Sequence, residues 1–268
     1  MYNATFKNKP VVVKTSLAES KDKYILREYE FLKILQQENV RGIPKIGPRF
    51  VHKERQSFVV EKLGKDLFDK TEETRKDKFS LKTTVKVALQ VLKILNHVHS
   101  CGIVHNDIKS ENLMTGLFDQ NTIYLIDFGH STFYVKDGEH VRDEHSGKSR
   151  GTLAFRSVNS LKLRNQSRKD DLESLAYNLV ELLTGKLPWD AVERNSKISK
   201  EEKEKLLIEC KEKPAEEICK GMPKEFALFL KEVRSLKFDQ KPDYDMYCGL
   251  FEKLLNKNES DSRISWKS

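Results

Sequence analysis

The sequence contains 268 residues, of which 38% are apolar and 34% are charged, so it can form one or two globular domains with a buried core. Its 49 basic and 41 acidic residues give a net charge of +8, which suggests anionic partners without choosing among them. No apolar run approaches the ~18 residues of a membrane span, and the first residues lack the apolar core of a secretory signal. The four scattered cysteines argue against a zinc site or a disulfide framework and are typical of a reduced cytosolic or nuclear protein.

The first sixty residues are predicted to be rich in strands, with one helix between them. Short β-branched runs indicate strands, whereas apolar residues that recur every three or four positions indicate the buried face of a helix. The predicted elements are a strand at 10–13, a helix at 24–36 with Ser20 or Asp22 as its N-cap, a strand at 57–60 and a turn at 63–64.

After Gly64 the pattern changes to helices. Stripes of leucine and valine at helical spacing predict three helices, and two short apolar runs predict strands that each lead into a polar cluster. The helices are predicted at 81–95 after the cap Ser80 and before Gly102, at 171–183 before Gly185, and near 226–230; the short strands lie at 103–104 and 123–126. A small β-rich lobe thus joins a larger helical lobe through a hinge near 61–64, and a cleft between lobes is where small ligands usually bind.

The two polar clusters carry the strongest chemical signal in the sequence. Residues 105–112 read His-Asn-Asp-Ile-Lys-Ser-Glu-Asn, and residues 127–129 read Asp-Phe-Gly. Phosphoryl transfer needs Mg²⁺ ions on the phosphates and a carboxylate near the attacking hydroxyl. An acid, a lysine two residues later and an asparagine five residues later can face one pocket from a single loop. Asp127, at the end of an apolar strand, can reach the same ion.

In order and spacing, these clusters resemble the H-x-D-x-K-x-x-N and D-F-G motifs of the protein kinases. The resemblance implies that Asp107 is the catalytic base that orients the substrate hydroxyl and that Lys109 neutralises the γ-phosphate. It also implies ATP and Mg²⁺ as cofactors, with Asn112 and Asp127 as metal ligands. Either motif alone occurs by chance in many chains, but both together, each after a short apolar strand, favour the kinase fold.

The N-terminal part fits the same resemblance. A Val-Val-Val-Lys segment that ends at Lys14 matches the V-A-I-K strand, whose lysine binds the α- and β-phosphates of ATP. Glu28 on the following helix is spaced to pair with this lysine, and Glu30, on the other side of that helix, is the alternative partner. Glu61 and Leu63 fall in the hinge, where backbone groups meet adenine.

Downstream segments narrow the resemblance to casein kinase 1. Ser-Val-Asn at 157–159 stands where most kinases carry Ala-Pro-Glu, and Ser-Arg-Lys-Asp-Asp-Leu-Glu-Ser-Leu follows at 167–175. The series continues with Leu-Pro-Trp at 187–189, Cys-Lys-Gly at 219–221 and Ser-Leu-Lys-Phe-Asp-Gln-Lys-Pro-Asp-Tyr at 235–244. The match covers about 11–255 and implies that Asp171 caps the backbone of the catalytic loop. An acid also suits that position because the dipole of a helix favours negative charge at its N-terminus.

Casein kinase 1 enzymes prefer serine or threonine downstream of acidic or phosphorylated residues, so the resemblance implies such protein substrates. It also implies a basic anion site beside the active-site loop, in which Arg168 matches the family's arginine and Lys169 adds charge. A lysine from 203–213 is expected to contribute, although insertions blur the correspondence there. The mixed-charge run at 200–205 is otherwise typical of an exposed helix.

Two features depart from the kinase pattern. A glycine-rich G-x-G-x-x-G segment normally precedes the strand lysine by roughly twenty residues and covers the phosphates. Here only thirteen residues precede Lys14, and residues 1–10 contain no glycine. Either the true start lies upstream, or the protein lacks this lid, which would weaken the alignment of ATP and lower the rate. Asn106 replaces the arginine of H-R-D, so activation by loop phosphorylation is not expected.

We therefore predict an α+β, two-lobed protein-kinase fold with a truncated N-lobe sheet and a mainly helical C-lobe. The predicted boundaries are 1–63 for the N-lobe, 64–256 for the C-lobe and 257–268 for a polar tail. The predicted activity is ATP-dependent phosphorylation of serine or threonine by a monomer that acts in the nucleus, the cytoplasm or both, without membrane contact. A role in DNA-repair or other regulatory signalling is implied by the family alone.

Two alternatives are kept beside this prediction. The first is a pseudokinase that binds or regulates a partner; the intact kinase residues, from Lys14 to Asp127, favour the active enzyme over it. The second is a basic module that binds nucleic acid. No aromatic interleaving or nucleic-acid motif accompanies the positive charge, so nucleic acid is not expected as a partner.

Overall fold

A computed structural model of the protein describes residues 1–16, 22–74, 76–255 and 263–266. Its N-terminal part is a four-stranded antiparallel sheet with the strand order β1-β2-β4-β3. The elements are β1 (Tyr2–Phe6), β2 (Lys9–Thr15), helix α1 (Asp22–Gln37), β3 (Ile46–His52) and β4 (Arg55–Glu61).

The sheet and α1 pack together through apolar side chains. The ring of Tyr29 on α1 meets Phe58 of β4 edge to face, with the ring centroids 5.5 Å apart. Leu32 and Leu35 of α1 are buried at the expected helical spacing, and each buried leucine contributes about 2 kcal/mol to folding. This confirms the predicted helix. It begins at Asp22, whose carboxylate accepts a hydrogen bond from the Ser16 hydroxyl; the other proposed cap, Ser20, lies outside the described residues.

Two strands of this sheet were not predicted from the sequence. All five residues of β1 are exposed, and every residue of β3 is exposed or half-buried. In β1 the apolar residues Tyr2, Ala4 and Phe6 alternate with polar ones, but the run is short and none of its residues is buried. The sequence of β3 does not show the alternation by which a half-buried strand is recognised. Both lie at the edges of the sheet, where one row of backbone N–H and C=O groups has no neighbouring strand to pair with.

The C-terminal part is mainly helical, as predicted. Its helices are α2 (Leu67–Glu72), α3 (Leu81–Ser100), α4 (Val158–Leu161), α5 (Arg168–Thr184), α6 (Asp190–Glu193), α7 (Lys200–Lys211), α8 (Ala215–Ile218), α9 (Lys224–Ser235) and α10 (Tyr244–Glu252). Three two-stranded ribbons accompany them: β5 (Ile103–Val104) with β8 (Thr132–Phe133), β6 (Leu113–Thr115) with β7 (Ile123–Leu125), and β9 (Val135–Lys136) with β10 (Glu139–His140). Among the described helices, none is long and apolar enough to cross a membrane.

Helices α3 and α5 form the centre of the helical part. The hydroxyl of Ser80 accepts a hydrogen bond from the backbone N–H of Thr83 and caps α3, as predicted. At the start of helix α5 the Ser167 N–H donates to Asp170 Oδ2 at 2.7 Å, and the helix ends at Gly185, which has a left-handed φ of 80°. Both helices are buried along most of their length, so they hold the loops between them rigidly in place.

Residues 263–266, within the predicted polar tail, pack against the helical part. The buried side chain of Ile264 is anchored by a hydrogen bond from its backbone N–H to Asn121 Oδ1 at 2.8 Å. The indole of Trp266 lies edge to face on Phe79, with centroids 5.6 Å apart, and its Nε1 donates to the Gln120 carbonyl at 3.1 Å. The composition of the tail did not predict this contact.

Candidate active site

The catalytic loop lies between β5 and β6 and is centred on Asp107. Thr152 donates both its backbone N–H and its hydroxyl to Asp107 Oδ1, at 2.7 and 3.0 Å. Asn112 Nδ2 donates to Asp107 Oδ2 at 3.2 Å and to the Asp107 carbonyl at 2.8 Å. Lys109 Nζ lies 3.9 Å from Oδ2. The structure therefore brings together the three loop residues that the motif predicted.

Asp171, at the start of α5, fixes the backbone of this loop. Its carboxylate accepts the N–H groups of His105 and Asn106 at 2.7 and 2.8 Å, and it contacts His99 Nε2 at 3.0 Å. Burial on its own would raise the pKa of Asp171, but the hydrogen bonds and the nearby histidines hold that pKa below its usual value. The carboxylate therefore stays ionised and holds Asn106 at its left-handed φ of 68°, as predicted for the cap of the catalytic loop.

Asp127 follows β7 and has a left-handed backbone, with φ 65° and ψ 64°. Strain of this kind concentrates at functional sites. The next residue, Phe128, is fully buried and packs edge to face on His105, with centroids 4.8 Å apart. Asn112 connects Asp127 to the catalytic loop, because the backbone N–H of Ile126 donates to the Asn112 carbonyl at 3.0 Å. The two clusters found in the sequence are thus adjacent in space.

Lys14 on β2 pairs with Glu28 on α1. The ammonium lies 2.6 Å from Glu28 Oε2 and 3.6 Å from Asp127 Oδ1. Burial opposes the charge of Lys14, but the two carboxylates outweigh it and raise the pKa of the lysine. For Glu28 burial is the largest effect and raises its pKa to about 7. Glu30, the alternative partner, instead faces Arg49 at 3.6 Å on the surface.

The space beside this pair fits a nucleotide. A cavity of about 340 Å³ lies between the sheet and the helical part and includes Lys14, Glu61 and Leu63 in its lining. Its walls are largely apolar, as a purine requires, and consist of Val12, Val60, Met114 and Ile126 among others. A second cavity of about 550 Å³ joins Lys14 and Glu28 to Asp127. Carboxylate and amide oxygens are suitable Mg²⁺ ligands, so the donor set of Asp127 and Asn112 fits the ion.

The two residues of the predicted anion site both bind backbone carbonyls. Lys169 Nζ donates to the carbonyls of Leu236 and Arg234, at 2.8 and 3.5 Å, so its charge anchors the end of α9. Arg168 lies over the ring of Tyr134 at 4.5 Å and donates to the Asp239 carbonyl at 2.6 Å. Both side chains thus make contacts within the fold, and their role in an anion site stays a prediction.

Acidic side chains flank the other side of the catalytic loop. Burial, with the charges of Glu111 and Asp190, raises the pKa of Glu181 to about 7. Glu111 also lies 3.9 Å from Lys109 Nζ. This group was not identified from the sequence, because Glu181 occupies a helix position where an acid is ordinary. It makes this side of the loop negative when the acids are ionised.

The fold and this arrangement of residues define a protein kinase. The protein kinase domain family matches residues 3–267, which is nearly the whole chain, and the chain belongs to this family. Protein kinases in general transfer phosphate from ATP to protein substrates with the help of Mg²⁺. The kinase fold predicted from the sequence is confirmed.

Proposed function

We propose that this protein is a casein kinase 1-like serine/threonine kinase that transfers the γ-phosphate of ATP to acidic or already phosphorylated proteins. The observation that carries the proposal is the meeting of Lys14, Asp107, Asn112 and Asp127, from three segments of the chain, beside the nucleotide-sized space that Lys14 lines. The narrower family assignment rests on the sequence segments at 157–159, 167–175 and 235–244.

In this proposal Lys14, held by Glu28, binds phosphate oxygens in the cleft, and Glu61 and Leu63 present backbone groups to the adenine. Asn112 and Asp127 hold Mg²⁺, which when bound neutralises the charge that develops on the transferred phosphoryl group. Asp107 accepts the hydroxyl proton of the substrate serine or threonine, and Lys109 stabilises the phosphate that approaches it. Most of the rate enhancement then comes from positioning and electrostatic stabilisation.

The substrate class is proposed from the resemblance and from Arg168, which keeps the position of the family's anion-site arginine. The net charge of +8 supports an acidic substrate, whereas the carboxylates of Glu111, Glu181 and Asp190 oppose one on their side of the loop. We propose that the protein acts as a monomer in the nucleus, the cytoplasm or both.

The test is phosphate transfer from Mg-ATP to casein and to three serine peptides that differ only in having acidic, neutral or basic flanking residues. We expect the acidic peptide to have the highest kcat/KM and Asp107→Asn to reduce its phosphorylation by about 10³-fold or more. Asp245→Asn, which changes an exposed acid of α10, is the matched control and should be fully active.

A preference for the basic peptide would refute the acidic substrate class and leave the kinase activity standing. Wild-type protein that binds Mg-ATP but transfers phosphate no faster than Asp107→Asn would show the pseudokinase alternative to be correct.

A further inference from the structure

Lys211, at the end of α7, is a fully buried lysine among polar backbone groups. Its ammonium donates to the carbonyls of Arg156 and Ala154 at 2.7 and 2.8 Å, and more weakly to Leu153 at 3.4 Å. It also lies 4.9 Å from the ring centroid of Tyr177 and 4.8 Å from that of Trp189. An ammonium has three N–H donors and is attracted to aromatic faces, so this site matches the charged form of the lysine.

No ion pair to Lys211 occurs within the described part of the chain. The acid with the largest electrostatic effect on Lys211 is Glu173 on α5. Its Oε1 accepts the Tyr177 hydroxyl at 2.5 Å and the Val158 N–H at 3.3 Å. Arg156 and Arg234 add like charge on two other sides. Burying a cation without a carboxylate partner costs free energy. The function of this charge should therefore lie in the contacts that it makes.

The carbonyls that Lys211 binds belong to the segment from Gly151 to Arg156, which we call the acceptor segment. One end of this segment reaches the proposed catalytic base, because Thr152 donates twice to Asp107. The Arg156 guanidinium closes the segment on itself by donating to the Gly151 carbonyl at 2.8 Å. Trp189 Nε1 also donates to the Ala154 carbonyl at 2.9 Å. The acceptor segment therefore borders the carboxylate that the substrate hydroxyl has to reach.

We propose that Lys211 is a positioning residue whose ammonium holds the acceptor segment in the shape that binds the protein substrate beside Asp107. This proposal rests on the proposed kinase function. Lys211 touches neither the nucleotide cleft nor Asp107, and it acts through the backbone of residues 153–156. Most kinases have Ala-Pro-Glu directly after this segment, but here Ser-Val-Asn follows at 157–159 and supplies no acid. The carbonyls of the acceptor segment bind the cation instead.

The charge of Lys211 is sensitive to pH near neutrality. Burial lowers its pKa to about 7; Glu173 opposes this, while Arg156 and Arg234 reinforce it, and Tyr177 and Cys210 are further titratable groups nearby. Loss of one proton leaves two donors and a lone pair that faces a carbonyl. Substrate binding should therefore weaken as pH rises through this range.

The test compares Lys211→Met, which keeps the length of the side chain without its charge, with Lys211→Arg, which keeps the charge. Lys205→Met, at an exposed position of the same helix, is the control. For an unphosphorylated peptide we expect Lys211→Met to raise KM about tenfold, with KM for ATP unchanged and partial recovery in Lys211→Arg. Wild-type peptide KM should rise between about pH 6 and about pH 8, and Lys211→Arg should abolish that rise.

Hydrogen exchange of residues 151–156 in the whole protein tests the same contact without activity. The amides of Phe155 and Arg156 donate to the Thr152 carbonyl, and they should exchange about tenfold faster in Lys211→Met than in wild type or Lys205→Met. Unchanged exchange, or an unchanged peptide KM, would overturn the proposal. If Lys211→Met fails to fold, a flat wild-type pH profile of peptide KM overturns it instead. Wild-type protein without phosphotransfer would refute the proposed function, and the exchange experiment would still decide the role of Lys211.

Discussion

Thr152 donates two hydrogen bonds to one oxygen of Asp107, at 2.7 Å from its N–H and 3.0 Å from its hydroxyl. The two residues are 45 positions apart in the chain, so this contact joins the acceptor segment to the catalytic loop. It fixes one carboxylate oxygen and directs the other towards Asn112 and Lys109.

Replacing Thr152 by valine removes the hydroxyl donor and keeps both the backbone donor and the shape of the side chain. We expect kcat to fall about tenfold, since misplacement of a catalytic group is costly, with little change in KM for ATP. Steady-state kinetics measure both constants. Thr152→Ser restores the donor and should recover most of the activity; equal kcat in the valine variant and wild type would contradict the prediction.

The pair of Lys14 and Glu28 predicts a pH dependence of ATP binding. Burial raises the pKa of Glu28 to about 7, above its ordinary value of 4.5. The protonated form of Glu28 is thus favoured in the folded protein. Its contribution to the stability of the fold is fully present below the ordinary pKa and is lost as pH rises through about 7. The ion pair with Lys14 forms fully only above that range.

We therefore expect KM for ATP to fall as pH rises from about 6 to about 8, as measured by initial rates at saturating peptide. Glu28→Gln cannot ionise and should show a higher KM without this trend. Glu30→Gln, two residues further along the same helix, is the control and should follow wild type. A wild-type KM that does not vary with pH would rule out titration of Glu28 in this range.

Asp171 should be essential for stability as well as for the shape of the catalytic loop. Asp171→Asn replaces one carboxylate oxygen by an NH₂ group, which then faces a backbone N–H of His105 or Asn106, or the ring of His99. Leaving buried donors unpaired should lower the free energy of unfolding by about 3 kcal/mol. Urea denaturation measures this loss, and Asp245→Asn, at an exposed site, should show none. An unchanged urea midpoint for Asp171→Asn would show that the loop is held in another way.

Loss of the contact between Trp266 and Phe79 should lower stability by less than Asp171→Asn does. Trp266→Ala removes an edge-to-face ring pair and the hydrogen bond to Gln120, and should lower stability by about 1–2 kcal/mol. Thermal unfolding measures the change. Phe118→Ala is the control, because its ring is 88% exposed and should contribute little; equal melting temperatures for the two variants would contradict the packing of the tail.

Two kinds of feature could be predicted from the sequence: helices with a periodic apolar face, and sites whose chemistry requires particular residues at a fixed spacing. The start of α3 at Ser80 and the end of α5 at Gly185 followed from capping rules and helical periodicity, because a one-sided helix displays its buried face every three or four residues. The residues of the catalytic loop, with Asp127, Lys14 and Glu28, followed from motif spacing. The structure brings these residues together, and their catalytic roles stay predictions until activity is measured.

The remaining features depend on contacts that no local pattern displays. Strands β1 and β3 have no buried stripe, and both lie at the edges of the sheet. Lys169 and Lys211 are ordinary basic residues of charged segments, and only the packing of distant carbonyls around them shows that their charges are used inside the fold. The boundaries predicted at 63 and 256 also stay predictions.

The strap formed by residues 263–266 has a practical consequence for work with this kinase. Its main chain is tied to α3, because Thr83 donates its hydroxyl to the Ser265 carbonyl at 2.6 Å and Lys86 donates to the Arg263 carbonyl. A protein truncated after residue 255 would expose the apolar surface on which Ile264 and Trp266 pack. Exposed apolar surface favours self-association in concentrated samples. An affinity tag added after Ser268 leaves residues 263–266 in place, so this apolar surface stays covered.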